Sequence, residues 1–80
     1  MRYGKFRIPM HTLNTNFNNA LKVLEGIVVI RAEALYHMNC VEYVGISEQF
    51  KDLKPGCDAP FYEYDYDPVL NEMIYIEENV

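Results

Sequence analysis

Four side chains in this 80-residue sequence have metal-binding or nucleophilic chemistry: His11, His37, Cys40 and Cys57. Two nitrogens and two sulfurs would make a zinc set, but structural zinc draws its ligands as close pairs, and only His37 and Cys40 are near each other. The same two residues place a thiol near a base, yet no third group orients the base and neither lies in a known nucleophile motif. Cys40 and Cys57 therefore read as small buried residues, and His37 as part of a turn. Carboxylates are the other reactive groups. Glu63 and Asp65, two apart in an extended chain, lie roughly 7 Å from each other, a separation that glycoside hydrolysis uses. A domain of this size has little room for a saccharide cleft. Gly4, Gly26, Gly45 and Gly56 are too scattered for a phosphate-binding loop. The chain is expected to be no enzyme and to need no metal or cofactor.

What remains is FYEYDYDP, residues 61 to 68. Successive side chains of a strand point to opposite faces, so Tyr62, Tyr64 and Tyr66 line one side while Glu63, Asp65 and Asp67 line the other. The tyrosine row reads either as sheet core, with each hydroxyl reaching the margin, or as an interface, where residues wet on one side and buried on the other are favoured. Seven Tyr and no Trp in the whole chain favour the second reading. The carboxylate row reads either as a partner for Arg2, Lys5 and Arg7 across strands, or as a ladder imitating a phosphate backbone. Its ~7 Å repeat equals two steps of the ~3.4 Å rise per nucleotide on one DNA strand. Glu63, Asp65, Asp67, Tyr62, Tyr64 and Tyr66, with Glu77 and Glu78 beyond them, are the candidate partner-binding residues.

The elements that must position this ribbon follow from periodicity. RYGKFRI, 2 to 8, alternates as a strand with Phe6 and Ile8 on one face, and Pro9 ends it or leaves it at an edge. In HTLNTNFNNALKVLEG, Asn14, Thr15 or Asn16 caps a helix whose apolar positions are Phe17, Leu21 and Leu24, with Gly26 as its stop. Residues 27 to 36 are rich in β-branched side chains and read as a strand, although RAEA within them also suits a helix. CVEYVGI, 40 to 46, is a second strand, and HMN makes the two an antiparallel hairpin. SEQFKDL supplies one helical turn begun by Ser47, and the Pro-Gly of LKPGC centres a type II turn. FYEYDYD and MIYIEE, joined around Asn71, are the last strands. The sum is one α+β domain, residues 1 to 80, in which a mostly antiparallel four- to five-stranded sheet packs one short helix.

Composition bounds the function. A chain this short buries only about 60% of the surface it exposes when unfolded, which gives dimerisation a stabilising role. The net charge of −5 is unevenly spread, since residues 58 to 80 hold seven carboxylates and no Lys or Arg. Such a block repels nucleic acid and attracts basic protein grooves, so the expected partner is a protein with a basic groove and not DNA or RNA itself. IVVI, 27 to 30, is far short of the ~20 residues that span a bilayer. Two cysteines are too few for a secreted disulfide framework, so the reduced cytoplasm is the expected compartment.

VEYVGISEQF, 41 to 50, followed by PGCDAPFYEYDY, resembles segments of short phage-encoded proteins, the class that includes anti-CRISPR and other host-takeover inhibitors. That resemblance implies action in the host cytoplasm by occupying a surface on a larger bacterial complex that handles nucleic acid or defends the cell, and it assigns no binding residues. Two other expectations stand beside it. One is a homodimeric structural or accessory protein whose Tyr face is the self-interface. The other is a small-molecule protein that holds a signalling nucleotide between aromatic faces.

Overall fold

The computed structural model describes residues 1–70 and 72–78, and of residues 66, 67 and 72 the backbone alone. Its order is β1 (Tyr3–Pro9), α1 (Met10–Thr15), α2 (Phe17–Leu24), β2 (Val28–Leu35), a 3-10 turn (Tyr36–Met38), β3 (Cys40–Ile46), β4 (Tyr62–Asp67) and β5 (Glu72–Glu77). The α+β class holds, but the strands divide into two antiparallel sheets: three strands in the order β1-β3-β2, and the β4-β5 hairpin. A single four- to five-stranded sheet is not formed. Among the described residues one parallel bridge, Lys5 to Phe61, with the Lys5 N–H donating to the Pro60 carbonyl at 2.9 Å, joins the two. The chain leaves β1 there because Tyr62 turns inward, where its ring stacks on Phe50 with centroids 4.5 Å apart.

The alternation of β1 comes out as its sequence predicts, with Gly4, Phe6 and Ile8 buried. Residues 27 to 36 form strand β2, paired with β3 from Val28↔Ile46 to Leu35↔Cys40 and interrupted by a bulge between Val29 and Arg31. The turn between them closes on Asn39 at φ 52°, a left-handed conformation that Asn tolerates. LKPGC makes the type II turn its Pro-Gly pair requires: Gly56 has φ +86°, and the Cys57 N–H donates to the Lys54 carbonyl at 3.2 Å. SEQFKDL forms the single turn begun by Ser47, whose carbonyl accepts the Phe50 N–H at 3.2 Å, but the turn does not extend into a helix. The segment crosses from one sheet to the other as otherwise irregular chain and delivers Phe50, fully buried, to the centre.

The helix starts after Asn16 and stops before Gly26 at φ +78°, as its sequence predicts, but a short α1 precedes it and its buried face differs from the pattern. The helical region begins at Met10, directly after Pro9, and breaks at Asn16, whose φ of −130° is not helical. Just before the break the Thr15 hydroxyl donates back to the His11 carbonyl at 2.6 Å, a bond that weakens the helical ladder. In α2 the buried residues are Ala20 and Val23, while Phe17 is 63% and Leu21 49% exposed. The reason is space. Phe6, Phe50, Tyr62 and Tyr75 already fill the interior with rings, and small side chains let the helix approach them.

Phe50→Ala is expected to cost about 3 to 5 kcal/mol, most of the stability of so small a domain. Leu21→Ala should stay within about 1 kcal/mol, since its side chain is half exposed. Urea denaturation of both variants checks the assignment of the core.

Candidate protein-docking face

β4 and β5 build the ribbon in the register Tyr62↔Glu77, Glu63↔Ile76, Tyr64↔Tyr75 and Asp65↔Ile74. Residues opposite each other share a face. One side of the hairpin therefore shows Tyr62, Tyr64, Tyr75 and Glu77, and the other shows Glu63, Asp65, Ile74 and Ile76. The tyrosine side is turned into the molecule. Tyr62 is 5% exposed, and its hydroxyl accepts the Lys51 N–H at 2.9 Å. Tyr64 is half-buried with its ring edge-on to Tyr75, and the Tyr75 hydroxyl donates to the carbonyl of Val23 in the last turn of α2. That carbonyl lacks a helical donor, so Tyr75 both caps α2 and fixes the hairpin to it.

The opposite side meets solvent. Glu63 and Asp65 are exposed, Ile76 is 56% exposed and Ile74 is half-buried. Two carboxylates thus stand beside two aliphatic side chains on one flat surface. The side chains of Tyr66 and Asp67 lie outside the described residues. Glu78 is exposed, whereas Glu77 on the inner side is held by the Lys51 ammonium at 3.0 Å.

Among the described residues the basic side chains of the N-terminal strand have partners other than the carboxylate row. Arg7 pairs with Glu42 on the neighbouring strand at 3.2 Å, and the Arg2 guanidinium donates to the Phe50 carbonyl at 2.8 Å. The Lys5 ammonium and the Arg7 guanidinium lie 5.0 and 4.5 Å from the centroid of the Phe61 ring, a cation–π clamp at the root of the hairpin. Register favours Glu42: it stands directly opposite Arg7 across β1 and β3, whereas the bridge from β1 to the hairpin segment falls at Phe61, two residues before Glu63.

Gln49 is the residue that sequence reasoning misses. Its side-chain amide donates to the Met73 carbonyl and accepts the Tyr75 N–H, both at 3.0 Å, so it occupies the outer edge of β5 as a further strand would. A polar residue in an irregular segment carries no periodic signal, and nothing in its neighbours marks it.

The other candidates separate. Cys40 is buried but Cys57 is exposed, against the expectation that both are buried, because the Pro-Gly turn carries Cys57 outward. His37 lies in the 3-10 turn. Among the described residues no three His, Cys, Asp or Glu side chains are grouped to hold a metal ion. A concavity of about 1000 Å³, open to solvent, has Arg2, Lys22, Glu25 and Glu48 in its wall, and no ring among its described lining on which a base would stack. No helix among the described residues is long and apolar enough to cross a membrane. Comparison with protein-family models, curated proteins and solved structures finds no match to this chain.

Burial pushes the phenols of Tyr43 and Tyr64 above their usual 10.0, and it pushes Tyr75 much further, helped by the neighbouring Tyr64. Above pH 10 the unfolded chain loses these protons while the folded chain keeps them. The folded state then binds more protons, so stability is full below about pH 10 and falls as pH rises beyond it. Urea midpoints should drop between about pH 9 and 11, and tyrosinate absorbance should show part of the seven Tyr ionising only on unfolding. Ionisation of all seven near pH 10 without loss of stability would contradict the inward placement.

Proposed function

We propose that this chain is a non-catalytic interaction protein that docks the outer face of its β4–β5 hairpin into a basic groove of a nucleic-acid-handling protein and inhibits it by occupying that groove. The observation that carries this reading is the two-sided ribbon, with one side locked into the core and the other offering Glu63 and Asp65 beside Ile74 and Ile76. Carboxylates steer the approach and set the orientation; the two isoleucines supply apolar area at the centre of contact, where charge alone contributes little net affinity. Residues 58 to 80 carry no Lys or Arg of their own, so the outer face of the hairpin bears carboxylates alone from this segment. The resemblance to phage-encoded inhibitors points the same way, toward a bacterial target.

Rigidity supports the reading as well. A ribbon held by Tyr62 on Phe50, by Tyr75 on α2 and by Gln49 along β5 loses little freedom on binding, so less of the contact energy is spent on ordering it.

The test is capture from a bacterial lysate on the immobilised protein, with duplex DNA as competitor. The expected result is a nucleic-acid-binding protein retained at low salt, released by high salt and displaced by DNA. Glu63→Gln with Asp65→Asn should leave the fold intact, because exposed charges contribute little to stability, and should weaken capture on the order of tenfold. Ile76→Ser should weaken it without changing the salt dependence. Capture that is indifferent to these changes and to DNA would remove the reading.

A further inference from the structure

β2 is the edge of the three-stranded sheet, and it is unusually open for an apolar strand. Val28 is 63%, Val29 41% and Ile30 52% exposed, and every residue to Ala34 is exposed on both faces. Ala32 and Ala34 pair with Tyr43 and Val41, which places them on the core side of the sheet, yet neither is covered. The sheet extends one strand beyond what its helices and the hairpin protect. A free edge of this kind is a template for another strand.

The order of charges along β2 says which strand fits. Arg31 and Glu33 flank Ala32, and they form an exposed ion pair at 3.2 Å on one face. We infer that β2 pairs antiparallel with β2 of a second copy of this chain about a twofold axis at Ala32, so that Arg31 of each copy faces Glu33 of the other. In that register the intrachain pair becomes a closed ring of four alternating charges, and Ala34 and Leu35 meet the partner's Ile30 and Val29. Registers one pair to either side on the same face set Arg31 against Arg31 or Glu33 against Glu33, which costs free energy, so the charges select one pairing. The bulge at Ile30 ends the regular ladder and limits further growth. The result is a closed dimer with a six-stranded sheet, β1-β3-β2-β2-β3-β1, in place of an open chain of strands. This surface lies on the sheet that does not contain the docking hairpin, and it stands whether or not the hairpin binds a partner.

Sedimentation equilibrium over a wide concentration range reads the pairing directly. One strand pair with its flanking side chains is a narrow interface, so the expected dissociation constant is on the order of 10 to 100 µM. Arg31→Glu and Glu33→Arg, each alone, should raise it about tenfold by placing like charges opposite. The double exchange, Arg31→Glu with Glu33→Arg, should restore it to near the original value. Both positions of the test are exposed, and circular dichroism checks that each variant folds. A chain that stays monomeric to about 1 mM, or a dimer that neither single reversal weakens, overturns the inference. So does a double exchange that fails to rescue the single ones.

Discussion

The ring of Phe50 is the constraint on which the rest of the structure depends. It comes from irregular chain between the two sheets, is fully buried, and touches Phe6, Tyr62 and Tyr75 at centroid distances of 6.4, 4.5 and 5.2 Å. It also lies flat against Gly4, where a Cβ would meet the ring at 2.7 Å. Glycine in β1 is therefore a matter of close approach, not of backbone conformation. Two small sheets that share one backbone bridge are held together by this aromatic cluster, each ring contributing far more buried area than an ion pair at the surface.

Seating Tyr62 on Phe50 decides which way the hairpin faces. Because side chains of a strand alternate, fixing one tyrosine inward fixes Glu63 and Asp65 outward, and the register with β5 then brings Ile74 and Ile76 beside them. The docking face is thus a consequence of core packing. The same packing leaves β2 uncovered, since α2 lies over the aromatic cluster and not over the far strand. One arrangement of rings sets both surfaces that the molecule presents.

The parts legible in the sequence are those where a local rule acts alone. The alternation of β1 and of FYEYDYD, the β-branched stretch of β2 and the Pro-Gly turn all specify their own backbone. The illegible parts depend on distant partners. Phe17 and Leu21 have the spacing of a buried helix face, but of α2 it is Ala20 and Val23 that are buried, with Leu24 packed partly against the core, and the room there is set by rings from three other segments. The division of the sheet hangs on Phe50, a single residue in a stretch whose composition suggests a helical turn. Arg7 stands directly opposite Glu42 across β1 and β3 and pairs with it, so strand pairing rather than charge count chooses its partner.

The central claim is that core packing presents one acidic, isoleucine-bearing face of the β4–β5 hairpin to a basic groove. Titrating isotope-labelled protein with an oligo-arginine peptide, and following backbone amide shifts by nuclear magnetic resonance, tests it most directly. The account predicts that Glu63, Asp65, Ile74 and Ile76 shift together along one binding curve while Tyr62, Phe50 and the strand from Arg31 to Leu35 stay still. Shifts as large at Glu25, Glu48 and Asp58 as on the hairpin would mean that the peptide answers to net charge alone, and would contradict it.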